Sequence, residues 1–196
     1  MTRNPQISIV AIGGSVRPGN FTMKALKVVT DHLSTIEGVQ VTVVDPAEID
    51  WPLPGRTGGG ARLAQVQEQV EEATGVILAT PEYHGSVSSV LKLALENLGF
   101  PSRLAGKPIA LLGVAAGAIG AIQSLGQLRM IASHIGAIVL PGAVSVAGVQ
   151  GIFDEAGNCK DAGTEQRLCA LGDGLVEYIQ SAVLPKLELE RLAREA

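Results

Sequence analysis

The chain has 196 residues, of which 46% are apolar and 17% charged, and its net charge at pH 7 is −4. This length suits one domain with a sizeable core, and this composition excludes a disordered chain. The absence of a Lys/Arg cluster argues against a nucleic-acid partner, and no apolar run is long enough to cross a membrane.

The first part of the chain alternates apolar runs with amphipathic segments. Residues 7–12 form a continuous apolar run, typical of a strand covered on both faces. Residues 21–36 place their apolar side chains on one helical face, which predicts a helix. Residues 39–44 predict a second strand, and the Pro- and Gly-rich residues 51–60 predict a long loop.

The same alternation continues to the C-terminus. The later strands are predicted at residues 75–80, 108–114 and 137–146. The later helices are predicted around Leu63, Val66, Val70 and Ala73, and at residues 87–98, 121–135 and 164–183. Five strands alternating with five helices predict an α/β fold, a doubly wound five-stranded parallel sheet of flavodoxin-like order 2-1-3-4-5 with helices on both faces.

The predicted domain covers residues 1–183, and residues 184–196 form a charged C-terminal extension. This tail is expected to be helical, and it either frays or packs on another subunit. The N-terminus lacks the pattern of a secretory signal, so a cytoplasmic protein is expected. Cys159 and Cys169 match neither C-x-x-C nor zinc spacing, which favours two reduced thiols and no metal site, with a disulfide or redox pair as the alternative.

Three loops of unusual composition should meet at one edge of the sheet. In an open parallel sheet, ligands bind beyond the carboxyl ends of the strands, near the point where the strand order reverses. For the predicted order, the loops at this point are residues 13–22, 81–86 and 115–120. Their coincidence predicts a binding site for a small ligand.

The first of these loops has the features of a phosphate site. Its glycines allow a tight turn, and the helix that follows offers free N–H groups and a favourable dipole. Arg17 adds a fork-shaped donor suited to phosphate oxygens. An ordinary capped helix is the alternative. The loop has no Gly-Lys-Ser/Thr ending and no G-x-G-x-x-G spacing, which argues against a P-loop and a dinucleotide fold.

The other two loops suit a planar heterocycle. Residues 81–85 run from Pro to Gly and hold backbone groups in fixed directions, while Tyr83 offers a flat face. His84 is not expected to transfer protons directly. Residues 113–120 carry almost no side-chain bulk, which indicates either close helix–strand packing or a surface that a ring can approach.

Three stretches resemble the NAD(P)H-dependent FMN reductase family, which includes quinone, chromate and azo-dye reductases. They are residues 14–22, residues 80–86 with Leu91-Lys92, and residues 117–120 with Leu128-Arg129. They occur in the family's order, and the similarity spans residues 7–153.

The resemblance implies the residues of an FMN site. The FMN phosphate and ribityl chain would be held by Ser15, Arg17, Asn20, Phe21 and Thr22. The isoalloxazine would be lined by Pro81, Glu82, Tyr83, His84 and Gly85, largely through the main chain, with Ala115 and Gly117 closing the site. Homodimers or homotetramers are also implied, with a second subunit bordering the flavin.

The sequence departs from the family at three positions. His84 stands where Asn is common, Ala115 where Ser is common, and Ala121 where a second Gly is usual. These changes bear on the substrate more than on flavin binding.

The expected reaction is ping-pong. NADPH or NADH gives a hydride to the flavin and leaves, and a small electron acceptor takes its place. No catalytic side chain is nominated. The alternatives are a flavodoxin-type electron carrier and a flavin-free scaffold domain.

Overall fold

The computed structural model describes residues 7–195, which form seven strands and six α-helices. The strands are β1 (Ile7–Ile12), β2 (Val39–Val44), β3 (Gly75–Tyr83), β4 (Ser86–Val87), β5 (Pro108–Val114), β6 (Ile138–Val139) and β7 (Val144–Val146). The helices are α1 (Phe21–Ser34), α2 (Gly60–Glu72), α3 (Ser89–Glu96), α4 (Ile122–His134), α5 (Ala162–Tyr178) and α6 (Leu184–Glu195). No helix in this range is long and apolar enough to span a membrane.

The main sheet is parallel, with β2, β1, β3 and β5 side by side and β6 and β7 both paired with the outer edge of β5. This confirms the predicted flavodoxin-like order, because β6 and β7 together occupy the place of the fifth strand. The prediction of one continuous strand over residues 137–146 is wrong. Pro141 has no N–H for a strand ladder, and Gly142 has a φ of 79°, so the chain leaves the sheet between the two short strands.

The third strand is longer than predicted. It continues three residues past Thr80, to Tyr83, and then returns through the antiparallel strand β4. Because Val87 belongs to β4, the following helix begins at Ser89 instead of Val87. The loop residues expected between the third strand and this helix therefore form a β-hairpin.

Each face of the sheet buries its own apolar cluster. On one face, β-strand side chains such as Ile9 and Ile77 pack against α1 and α5. On the other face, side chains such as Val10 and Val76 pack against α2, α3 and α4. Alternation along the strands therefore directs neighbouring residues to opposite cores, which is the physical basis of the doubly wound arrangement.

The C-terminal helix is interrupted near its end. The helix predicted over residues 164–183 is regular only to Tyr178 and continues as a π-helical turn at Ile179–Val183 before α6. Pro185 has no N–H to donate to the carbonyl of Ser181, which accounts for the widened turn. The tail is helical, as predicted, and none of the residues of α6 is buried. The domain boundary at residue 183 stays a prediction.

Candidate active site

The loop that follows β1 is in direct contact with β3 and with the start of α3. The hydroxyl of Ser88 donates a hydrogen bond of 2.6 Å to the carbonyl of Gly14. A Cβ atom on Gly14 would lie 2.6 Å from the carbonyl oxygen of Ala79, so only glycine permits this close approach. The loop after β1 therefore packs against β3 and the start of α3, at the carboxyl edge of the sheet.

The turn after β1 is shaped by its own side chains. Ser15 is only 2% exposed, and its hydroxyl oxygen accepts a hydrogen bond of 3.4 Å from the backbone N–H of Arg17. Asn20 caps α1, since its Oδ1 accepts from the N–H of Met23 at 2.9 Å. The Nδ2 group of Asn20 donates to the carbonyls of Arg17 and Ser15. The Nδ2 group of Asn20 therefore makes both of its hydrogen bonds within the turn.

The first residues of α1 can meet a ligand mainly through their backbone. The ring of Phe21 lies 6.3 Å from that of Phe153, and the ammonium of Lys24 lies 5.3 Å from the Phe21 ring centre. Thr22 is buried. The N–H groups of Phe21 and Thr22 belong to the first helical turn and have no acceptor within the helix. They and the exposed Arg17 can donate to an anion.

The hairpin after β3 has a two-residue turn. His84 and Gly85 have φ values of 51° and 69°, the positive values that a type I′ turn requires at both positions. Tyr83 is 39% exposed at the end of β3. Pro81, by contrast, is buried. The turn thus presents Tyr83 and His84 at the surface, where a flat ligand can reach them.

The side chain of Glu82 has a structural partner that the sequence did not indicate. Its Oε2 accepts a hydrogen bond of 2.9 Å from the N–H of Ser124, in the first turn of α4. A carboxylate at this position is stabilised by the helix dipole. The Glu82 carboxylate therefore joins the hairpin to α4.

Gln127, which the sequence did not indicate, and Ser86, in the predicted second loop, connect the same elements. The hydroxyl of Ser86 donates to Oε1 of Gln127 at 2.6 Å, and Nε2 of Gln127 donates to the carbonyl of Gly85 at 3.0 Å. The partners are 41 and 42 residues apart in the chain, so no local sequence pattern could have revealed them.

The glycines near the third loop serve different purposes. A Cβ atom on Gly113 would lie 2.7 Å from the Cβ of Ala121, and one on Gly120 would lie 2.3 Å from Oγ of Ser145. Close packing therefore explains these two glycines. A Cβ atom on Gly117 would meet nothing within 4 Å, so this position faces open space.

The backbone of this third loop is held from the outer edge of the sheet. The N–H of Ala115 donates to the carbonyl of Val146 at 2.9 Å, and its carbonyl accepts from the N–H of Val149 at 3.1 Å. The carbonyl of Gly117 accepts from the N–H of Gly148 at 3.1 Å. The loop is thus fixed although it is largely exposed.

An open crevice of about 680 Å³ joins the first two loops. Its lining residues are Arg17, Glu82, Tyr83, His84, Val87 and Ser89. The other predicted site residues do not line it: Ser15, Asn20, Phe21, Thr22, Pro81, Gly85, Ala115 and Gly117. A larger groove of about 890 Å³ lies between α5 and the outer edge of the sheet, but it contains no residue of the three loops. The crevice is therefore the better candidate, since it combines an Arg with an exposed aromatic side chain.

Residues 7–195 contain no group of three His, Cys, Asp or Glu side chains arranged to hold a metal ion.

Cys159 and Cys169 are both free thiols. Burial raises the pKa of Cys169, which favours its protonated form.

Comparison with known proteins places the chain in a family. The family model described as NADPH-dependent FMN reductase matches residues 7–151. A quinone reductase from Escherichia coli is 28% identical over 181 residues, which cover 89% of this chain and 96% of that protein. The NADH:(hydroxy)cinnamate reductase subunit CrdA from Vibrio ruber is 31% identical over 134 residues, covering 66% of this chain and 65% of that subunit.

Among solved structures, the fold is similar to that of FerB, a flavoenzyme NAD(P)H:(acceptor) oxidoreductase from Paracoccus denitrificans. The TM-score is 0.72 at 21% sequence identity, covering 89% of this chain and 97% of FerB. At this identity the match shows the fold alone. The family model covers most of the chain and shows the assignment: the chain belongs to the NADPH-dependent FMN reductase family, oxidoreductases with FMN as cofactor and NADPH or NADH as electron donor.

Proposed function

We propose that this chain is an NAD(P)H-dependent FMN reductase that passes electrons through FMN to a small acceptor: a quinone, an azo compound, a metal oxyanion or free flavin. The observation that carries the proposal is the crevice in which Arg17 lies on the same opening as Tyr83 and His84. An anion-binding turn and a flat aromatic face on one opening fit a mononucleotide with a planar ring. The quinone reductase among the relatives supports this acceptor class.

The residues of the first loop fit the phosphate end of FMN. Arg17 would supply a charge-assisted hydrogen bond, and the N–H groups of Phe21 and Thr22 would supply the donors of a helix N-terminus. Ser15 and Asn20 hold the turn in shape, because their side chains already bond to the loop backbone.

The hairpin residues fit the ring end. The backbone from Pro81 to Gly85 and the side chains of Tyr83 and His84 would orient the isoalloxazine, with Ala115 and Gly117 approaching it from the neighbouring loop. Bound FMN supplies the hydride and electron chemistry, and the protein binds and orients the reactants. No side chain in the crevice is assigned as an acid or base, and an open ring face allows donor and acceptor to bind in turn.

The test is anaerobic reduction of the FMN-loaded protein. We expect NADPH or NADH to bleach the visible flavin band, and a panel of quinones, azo dyes, oxyanions and free FMN to restore it. Stoichiometric FMN binding without bleaching would instead identify a flavodoxin-type carrier. Protein that retains no flavin would contradict the proposed site.

We also propose that the chain forms homodimers or homotetramers. Three large apolar side chains on α4 and in the segment after α3 are strongly exposed: Phe100 at 103%, Met130 at 66% and Ile122 at 60%. Phe100 also borders a largely apolar groove of about 650 Å³ lined by residues of α3 and α4. Exposed apolar surface of this kind is typical of subunit interfaces. Light scattering of the wild type should give a molar mass that is a multiple of the chain mass. Met130→Glu should give a lower molar mass than the wild type. A monomeric wild type would refute the proposal.

Two further parts of the proposal concern location and domain extent. The two free thiols and the use of NAD(P)H support a cytoplasmic protein, which cell fractionation would test.

The extension at residues 184–196 lies outside the flavin-binding unit in this proposal, because α6 has no buried residue. A chain that ends at residue 183 should bind FMN with unchanged affinity; weaker binding would place the tail within the functional unit.

A further inference from the structure

The turn between β3 and β4 has a conformation that its sequence does not favour. His84 adopts a φ of 51°, the only positive φ of a non-glycine residue within residues 7–195. A side chain with a Cβ atom is disfavoured in this region, where Gly and Asn are the common residues. Such a conformation persists when neighbouring structure holds it in place.

The turn is held by the side chain of Gln127. Its Nε2 donates to the carbonyl of Gly85, inside the turn, and its Oε1 accepts from the hydroxyl of Ser86, the first residue of β4. The amide of Gln127 thus forms hydrogen bonds with two consecutive residues, Gly85 and Ser86. Both bonds are directed by a planar group that has a donor and an acceptor side by side.

The helix that carries Gln127 is itself fastened to the other side of the hairpin. Glu82, in β3, accepts from the N–H of Ser124 one turn earlier in α4. Both strands of the hairpin are therefore joined to α4, one by a carboxylate and the other by an amide. Movement of the turn relative to α4 would break at least one of these bonds.

We infer that Gln127 is a positioning residue, which fixes the His84–Gly85 turn so that its backbone and Tyr83 meet the flavin ring in one orientation. This inference rests on the proposed FMN site and deepens it. Gln127 does not line the crevice and acts through the turn. Alanine would remove both bonds. Glutamate would keep an acceptor for Ser86 but place an anionic oxygen against the Gly85 carbonyl, so it should not rescue.

The first test compares FMN with riboflavin, which has the same ring and no phosphate. Gln127→Ala should weaken the binding of both ligands by about tenfold, the scale of one or two net hydrogen bonds. Arg17→Ala should weaken FMN alone. Gln166→Ala truncates an exposed glutamine on α5 for which no hydrogen bond is seen, and it should bind both ligands like the wild type.

The second test reads out the hairpin and the flavin directly. In the ligand-free protein, Gln127→Ala should speed amide exchange in residues 83–87 without a comparable change in α5. With FMN bound, it should shift the midpoint potential to more negative values, because loosened backbone N–H groups stabilise the charge of the reduced ring less well. Ser86→Ala should reproduce part of both effects, and Gln127→Glu should behave like the alanine variant.

The outcomes separate this inference from the proposed function. Wild-type protein that binds neither ligand would refute the FMN site. The amide-exchange measurement would still test whether the hydrogen bonds of Gln127 hold the turn in place. Wild-type protein that binds FMN, with Gln127→Ala equal to it in both affinities and in potential, would overturn the positioning role. A loss confined to FMN would overturn it as well, since Gln127 would then act on the phosphate end.

Discussion

The hydroxyl of Ser88 lies 2.6 Å from the carbonyl oxygen of Gly14, and it also accepts a hydrogen bond of 3.1 Å from the N–H of Leu91. One buried hydroxyl therefore caps α3 and ties it to the turn after β1. The two loops that form the crevice are held together at this point, beneath the residues that line it.

Ser88→Ala should therefore destabilise the protein. The change removes a helix cap and leaves the Gly14 carbonyl without this donor, which should lower the free energy of unfolding by about 1–3 kcal/mol. Urea unfolding measures the loss. Ser89→Ala changes the neighbouring exposed serine and should stay within about 0.5 kcal/mol of the wild type. Equal stability of both variants would show that the Ser88–Gly14 bond contributes little.

Arg17→Ala should weaken FMN binding by about 1.5–3 kcal/mol, the usual range for a hydrogen bond to a charged group. Fluorescence titration of the apoprotein with FMN gives the affinity. Arg194→Ala removes an exposed arginine on α6 and provides the control. Unchanged affinity in Arg17→Ala would mean that the phosphate lies elsewhere.

His84→Asn should stabilise the protein by about 0.5–1 kcal/mol, since Asn followed by Gly is the preferred pair for a type I′ turn. The side chain at this position is exposed, so little packing is lost. Chemical unfolding of the ligand-free protein checks the gain. A loss of stability would show that the imidazole makes a favourable interaction that outweighs the strain of the turn.

Asp161→Asn should change the acid stability of α5. Hydrogen bonds from the side chain and backbone of Thr164 lower the pKa of Asp161, so the unfolded chain binds its proton more readily than the folded one. The stabilisation is complete above the unfolded pKa of about 3.9 and is lost as pH falls through the folded value. The free energy of unfolding of both proteins should be measured from about pH 6 downward. The wild type should be more stable than the Asn variant at the higher pH values, and this difference should decrease near and below about pH 4. A constant difference would exclude this carboxylate as the cause.

The general plan of the fold follows from sequence because periodicity records burial. Apolar runs such as residues 7–12 and 108–114 coincide with strands, and the apolar stripe of residues 21–36 contains the observed helix. The break at Pro141 and Gly142 was also visible in the sequence as two strand-disfavouring residues. The apolar residues on both sides of this pair favour a single strand, and local sequence does not show how far the chain departs from the sheet between them.

The parts of the site that sequence could not predict depend on contacts between distant segments. Ser88 meets Gly14 across 74 positions, and Gln127 meets Gly85 across 42. Neither serine nor glutamine stands out locally, since both are common on helix surfaces. The three loops could be recognised from composition, but the bonds that fix their relative positions appear only once the strands are side by side.

The pairing of Glu82 with α4 also bears on the orientation that we expect for a mononucleotide in the proposed site. The positive end of α4 already has a carboxylate as its counter-ion, so a second anion there would be repelled. The start of α1 has a neutral Asn20 as its cap and keeps unmatched positive potential. In the proposed site, this difference between the two helix ends would favour a mononucleotide with its charged end toward α1 and its rings toward the hairpin.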